Sequence, residues 1–250
     1  MSSRFASVIL GAGEGTRMKS TLPKVLHRVG GKPLVSHVLD TALSLHLDKQ
    51  VLVVGFSGEI VAGYVRQNPA YNRVSVVFQK RRLGSGHAVM QAARIMSGYR
   101  GNVLVLCADV PLIKPGTLKK LMALHSRQGN AVSILTTKIA NPAGYGRIIR
   151  AKRQVVKIVE DKDATAQEKK VQEINTGIYC FKAPSLFRIL KKIKPNNKKN
   201  EYYLTDAVEL LQQEGAGISA LLCPSNEEVA GINDQQQLAA ANAYFQALAS

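Results

Sequence analysis

The sequence predicts an α/β fold: a Rossmann-like, mixed but mainly parallel sheet with helices on both faces and a smaller β-rich lobe. Three observations carry this expectation. Apolar runs of strand length alternate with segments of helical spacing through the first half of the chain. The run Gly101–Cys107 is apolar without alternation, as a parallel strand buried on both faces is. Two such runs end in Gly11-Ala12-Gly13-Glu14-Gly15 and in Ala108-Asp109, where open α/β sheets bind ligands.

Taken in order, Ser7–Leu10 reads as a short strand ahead of the glycines. Pro33–His46 has helical spacing, and its proline suits a first turn. Gln50–Gly55 is a Val-rich strand, Gly58–Arg66 a short helix and Arg73–Phe78 a β-branched strand. Gly86–Ser97 returns to helical spacing, Gly101–Cys107 to strand, and Pro115–Arg127 to helix. The second half changes character. Ala131–Thr137, Arg147–Arg150, Val155–Val159 and Thr176–Phe181 read as an antiparallel or mixed layer. Helices over Pro184–Ile193 and Leu204–Glu214, a strand at Gly217–Leu222 and a helix over Asp234–Leu248 follow. Lys194–Asn200 is polar and reads as a solvated turn.

The chain has 250 residues, 46% of them apolar, which suits one large α/β domain. The expected division is a first lobe over 1–130, a second over 131–233 and a terminal helix over 234–250, with the ligand cleft between the lobes. No window reaches the roughly 18 apolar residues of a membrane helix, and Met1–Ala6 has no leader pattern. Cys107, Cys180 and Cys223 are few, far apart and free of any Cys-x-x-Cys pair, which fits a reducing cytoplasm. The net charge of +17 is high, but the cations are dispersed, with a local excess at Lys191–Lys199. No nucleic-acid-binding motif accompanies them. Nucleic acid is therefore not an expected partner, and a basic surface serves to steer phosphorylated substrates.

The chemistry concentrates in Val8–Met18 and Leu22-Pro23-Lys24. Glycines at alternate positions let a ligand approach main-chain N–H groups, and these groups cradle phosphates. Arg17 adds a planar fork and Lys24 a compact charge. The string is not a P-loop, for Gly-Lys-Ser/Thr is missing. Nor is it a dinucleotide fingerprint, whose third glycine falls on Thr16. Asp109, at a strand end facing such a loop, is placed to hold Mg²⁺ and is also an ordinary turn residue.

Leu10–Lys24, Gln79 with Leu83–Ala88, and Asp109-Val110-Pro111-Leu112 resemble the sugar-nucleotide pyrophosphorylases. So do Gly144–Ile148, Ile158–Ala164, Glu173–Gly177, Glu201–Asp206 and Gly231–Asp234, in order along nearly the whole chain. The likeness is strongest to the bacterial uridylyltransferases that act on N-acetylglucosamine 1-phosphate. It implies condensation of UTP with that sugar phosphate, giving UDP-N-acetylglucosamine and pyrophosphate by in-line attack on the α-phosphorus. It also implies roles. Leu10, Gly11, Ala12, Gly13 and Lys24 would bind the nucleotide, with Arg17 and Lys24 stabilising charge at the reacting centre. Gln79, Gly84 and Ser85 would contact uracil. Asp109 and Asn233 would hold Mg²⁺, and Gly144, Glu160 and Asn175 the sugar. Each position has a plainer reading as well: Gln79 as a solvated strand end, Gly144 as a turn, Glu160 as a lysine partner, Asn233 as a helix cap. His37, His87 and His125 fall on helical faces and read as packing or surface residues.

Departures from the family pattern are Gly11 for the usual Ala, Ser85 for Thr, and Cys107-Ala108-Asp109 for Tyr-Gly-Asp or Ala-Gly-Asp. The extra methyl at Ala108 is expected to perturb sugar or metal geometry. No hexapeptide-repeat β-helix follows, so an acetyltransferase half and its trimer are not expected, and a monomer or weak oligomer is. The alternatives are the same fold acting on another sugar 1-phosphate, or a non-catalytic nucleotide-sugar or RNA-binding module.

Overall fold

The computed structural model describes residues 3–249, with side chains placed through 247. Met1 and Ser2, from the segment read above as lacking a leader, lie outside the described residues. The first half runs β1 (Phe5–Gly11), β2 (Arg28–Val29), β3 (Lys32–Pro33), α1 (Leu34–Leu43), β4 (Gln50–Val54), α2 (Gly58–Gln67), β5 (Val74–Phe78), α3 (Ser85–Met90), β6 (Asn102–Cys107) and α4 (Pro115–Gln128). The second half runs β7 (Val132–Lys138), β8 (Arg147–Ala151), β9 (Gln154–Val159), β10 (Glu173–Lys182), α5 (Ala183–Leu190), α6 (Asp206–Gln213), β11 (Ile218–Leu222) and α7 (Gln235–Ala249).

The nine-stranded sheet has the order β11-β7-β10-β6-β1-β4-β5, with β8 and β9 attached beside β10. β1 lies between β4 and β6 and is parallel to both. Successive side chains on a strand point to opposite faces, so an unbroken apolar run must meet cover on both sides. Val8, Val51, Val53, Val103 and Val105 pack toward α3, α5 and α6. Ile9, Leu52, Val54, Leu104 and Leu106 pack toward α1, α2 and α4. The mixed character of the second half comes from β10, which is antiparallel to both β6 and β7. β11 then adds parallel to β7. The sheet is thus continuous across residue 130, and only the β8–β9 hairpin stands off it.

Four helices, α1, α3, α5 and α6, are shorter than their sequence periodicity predicts. α3 ends at Met90, and tight turns bonding three residues back carry the chain from Gln91 toward Ser97. The Gln91 side chain donates to the His87 carbonyl (2.9 Å), the acceptor its own N–H would use, and that N–H turns to Ala88 instead. α6 starts at Asp206, after a turn that bonds three residues back (Asp206 N–H to Tyr203, Ala207 N–H to Leu204), while Ser85 Oγ accepts the otherwise unpaired Leu204 N–H (3.0 Å). β10 is longer than expected, and its register shifts between Asn175 and Tyr179, around Gly177 at φ 77°. A bulge there bends the strand beside the cleft.

Candidate active site

The glycine loop leaves the carboxyl end of β1 and turns at Gly15, whose φ of 68° suits glycine. A Cβ at Gly15 would stand 2.5 Å from that of Lys24, so the missing side chain lets the lysine stem lie against the loop. Gly13 is open: a Cβ there would meet nothing within 4 Å. Buried Met18 anchors the turn Thr16–Met18 behind it.

This loop forms one wall of a cavity of about 850 Å³. Leu10, Gly11, Ala12, Gly13, Arg17, Lys24, Gln79, Gly84, Ser85, Asp109 and Asn233 all line it. The nucleotide, catalytic and metal residues expected from the sequence therefore share one space. A second, apolar hollow of about 590 Å³, between the 90–100 turns and α5, contains none of them.

Gln79 is buried rather than solvated. Its Nε2 donates to the Gly84 carbonyl (2.9 Å) and meets His87 Nδ1 (3.0 Å). That fixes the amide plane and leaves Oε1 without a protein donor among the described residues, available to an N–H on a ligand. His87 thus supports a site residue, beyond the packing role its position suggests. Gly84, at φ 98°, packs against the 201–204 segment, and a Cβ there would meet the Tyr202 carbonyl oxygen at 2.6 Å. Ser85 Oγ accepts from the Leu204 N–H (3.0 Å) and keeps its own O–H to donate.

Asp109 and Asn233 come from distant parts of the chain to one point. The Asp109 carbonyl accepts the Ile232 N–H (2.8 Å), which ties the end of β6 to the segment before α7. Lys24 Nζ donates to Asp109 Oδ2 and to Asn233 Oδ1, the latter at 3.0 Å. The pair is nearly buried, with side-chain exposures of 10% for Lys24 and 19% for Asp109. Asn233 does not cap α7. Asp234 does, accepting the Gln237 N–H at 2.8 Å, and this leaves the Asn233 oxygen free to face Lys24. An ammonium between a carboxylate and an amide oxygen marks a place where hard oxygens converge on a cation, the donor chemistry Mg²⁺ takes. The described residues contain no cluster of three acidic, His or Cys ligands, so phosphate oxygens and water would have to complete the shell.

Gly144, Glu160 and Asn175 stand next to this cavity and not on its wall. Glu160 and Asn175 meet at Gly146, where a Cβ would lie 3.5 Å from both, and Gly144 precedes that glycine by two residues. Thr205 donates to Glu160 Oε1 (3.2 Å), and burial holds the Glu160 carboxyl above its usual range. Buried Arg147 shapes the loop by donating to the Tyr145 carbonyl and to Asp161 (2.9 Å). The Tyr145 phenol is raised chiefly by burial, with Asp109 adding to it and Arg17 opposing, which places Tyr145 within reach of both charges. Cys107 links the two groups. It lines the cavity and its thiol donates to the Gly177 carbonyl (3.4 Å), two residues beyond Asn175.

Ala108 corrects an expectation. Its methyl does not face a ligand, because Cys107 and Asp109 take the cleft side of the strand end and Ala108 the other. It is fully buried near Gly11, whose added Cβ would lie 3.4 Å from the Ala108 Cβ. The family's Ala–Gly pair is here Gly–Ala, with one methyl moved across the β1–β6 ladder.

The sequence reading missed the pocket rim. Glu14 pairs with Arg82, which also stacks over Phe56 at 6.0 Å, and Arg81, Lys199 and Glu201 line the cavity. The segment read as a solvated turn thus delivers Lys199 to the site. The cationic pair Arg81-Arg82 directly before Leu83-Gly84 was the available signal.

A family model described as Nucleotidyl transferase matches residues 6–224. The chain is 48% identical over 242 residues to the bifunctional protein GlmU of Pelotomaculum thermopropionicum, covering 96% of this chain and 52% of that protein. It is 43% identical over 238 residues to that of Acaryochloris marina, with 95% and 51% covered. The chain spans about half the length of the curated relatives it matches. Among solved structures, UDP-glucose pyrophosphorylase complexed with UDP-glucose superposes with a TM-score of 0.79 at 21% identity, covering 98% of this chain and 99% of that one. A glucose-1-phosphate thymidylyltransferase from Bacillus anthracis, described as putative, gives 0.72 at 18%, with 96% and 94% covered. Both likenesses establish the fold.

Proposed function

The chain belongs to the nucleotidyl transferase family, and we propose that it condenses UTP with N-acetylglucosamine 1-phosphate to UDP-N-acetylglucosamine and pyrophosphate. The observation that carries the reading is the convergence of the glycine loop, Arg17, Lys24, Gln79, Asp109 and Asn233 on one cavity. The identity of 48% to a GlmU protein supports the choice of sugar and base.

In this reading the main-chain N–H groups of Gly11–Gly13 and the Lys24 ammonium hold the triphosphate over the loop. The buried Gln79 amide accepts the uracil N3–H at Oε1, and its Nε2 stays committed to Gly84 and His87. Glu160, Asn175 and Gly144 orient the sugar ring so that its phosphate faces the α-phosphorus. An oxygen of that phosphate forms the new bond, the bond from the α-phosphorus to the bridging oxygen breaks, and pyrophosphate departs with the electron pair. Arg17, exposed and without a side-chain hydrogen-bond partner among the described residues, is placed to gather that leaving charge. No nucleophile or general base is required, because such transfers depend on positioning and charge neutralisation. Asp109 and Asn233 would hold Mg²⁺, which when bound neutralises phosphate charge.

The test is pyrophosphate release from UTP and N-acetylglucosamine 1-phosphate, with and without Mg²⁺. Metal-dependent release is expected, and uridylyl transfer only to glucose 1-phosphate would reject the acetamido sugar. Salt-sensitive RNA binding with no release would favour a binding module instead.

A further inference from the structure

We infer that Lys24 is the resident counter-ion of the Asp109–Asn233 pair, so that a divalent cation enters only together with a triphosphate that draws the ammonium away. The inference rests on the nucleotidyl transfer proposed above.

Lys24 Nζ bonds both oxygens to which the metal is assigned, and its side chain is almost wholly buried. The stem has little freedom. It lies against Gly15 and begins the short turn Lys24–Leu26, which keeps the head close to both Asp109 and the loop. A cation already sits where a divalent ion would have to bind. Two cations a few ångströms apart in a poorly solvated site repel strongly. The protein offers one carboxylate and one amide oxygen to the ammonium at this point, and the described residues contain no cluster of three acidic, His or Cys ligands. Without nucleotide, the single carboxylate is satisfied by the lysine.

A triphosphate changes both sides of this balance. Its oxygens supply the ligands the protein lacks, and they offer the ammonium a new anionic partner on the loop. Lys24 then moves from Asp109 to phosphate. Metal and triphosphate therefore favour each other, and by linkage each raises the other's affinity by the same factor.

The experiment titrates Mn²⁺ alone, without nucleotide, into the whole chain by calorimetry and follows thermal unfolding in parallel. Lys24→Met is expected to bind Mn²⁺ about tenfold or more tightly than the native chain, as removal of an adjacent like charge requires. Mn²⁺ should also raise the Tm of that variant and leave the native Tm unchanged. Adding Asp109→Asn to Lys24→Met should abolish the gain. Lys24→Gln, which keeps a hydrogen-bonding head between the two oxygens, guards against a misfolded Met variant and should show the same direction. A variant that unfolds cooperatively yet binds Mn²⁺ no better than the native chain overturns the inference. Because Mn²⁺ binding is read directly, a flat comparison in a protein that releases pyrophosphate sinks this inference alone. Failure to release pyrophosphate sinks the proposed function instead.

Discussion

The methyl exchanged between Gly11 and Ala108 gives a stability prediction that can be worked through. In Gly11→Ala the new Cβ would sit 3.3 Å from the Val53 carbonyl oxygen, 3.4 Å from the Ala108 Cβ and 3.5 Å from Leu52 Cδ1. Overpacking of this kind costs about 1–3 kcal/mol. The loss of a glycine from a strand returns about 0.5–1 kcal/mol, since Gly11 is not at positive φ. The expected net loss is about 1 kcal/mol. Ala108→Gly removes a fully buried methyl. The transfer term of about 0.8 kcal/mol plus the glycine penalty gives a loss of about 1.5 kcal/mol. In the double variant the methyl changes strands and the closest carbon neighbour is gone. The Val53 oxygen at 3.3 Å is then the one tight neighbour left, with Leu52 Cδ1 at the ordinary contact distance of 3.5 Å, so the loss should fall to about 0.5 kcal/mol. The two sites are then coupled by about 2 kcal/mol, well beyond the ~0.3–0.5 kcal/mol scatter of independent sites. Urea unfolding of the four proteins measures this as shifts in midpoint at constant slope. Losses that simply add would refute the contact between the two positions as the reason for the exchange.

Arg17→Ala should lower turnover by about 10²-fold with little change in stability, as loss of one group stabilising transition-state charge does; near-native turnover in a pyrophosphate assay would remove Arg17 from the reaction. Asp109→Asn should weaken the dependence of activity on Mg²⁺, so an unchanged metal titration would take Asp109 out of the metal site. His125 is buried between Ser133 and Asn102, and burial chiefly pushes its imidazole from the usual 6.5 down to about 4. The unfolded chain binds a proton there first. The contribution is thus complete above pH 6.5 and is lost as pH falls toward 4, by up to ~3 kcal/mol. Urea midpoints between pH 7 and 4 should show this slope, and His125→Gln should flatten it; identical slopes would show that His125 does not titrate in this window.

Local sequence determined the parts of this protein that depend on residue type and short spacing. Val-rich runs must be strands covered on both faces, and glycines at 11, 13 and 15 must make an open loop beside Arg17 and Lys24. Order along the chain, read against a family pattern, then named Gln79, Asp109 and Asn233. The sequence could not decide what competes for each side chain in space. Whether Asn233 caps a helix or turns to a cation depends on Asp234 taking the cap. Ser85 Oγ holds the N–H of Leu204, far along the chain, a partner that no local window names. Ala108 looked exposed to ligand until the alternation at the strand end turned it into the core against Gly11. Lys24 meets Asp109 and Asn233 across separations of 85 and 209 residues. Such meetings follow from sheet order and strand register, which are settled by packing of the whole chain and leave no trace in any short window.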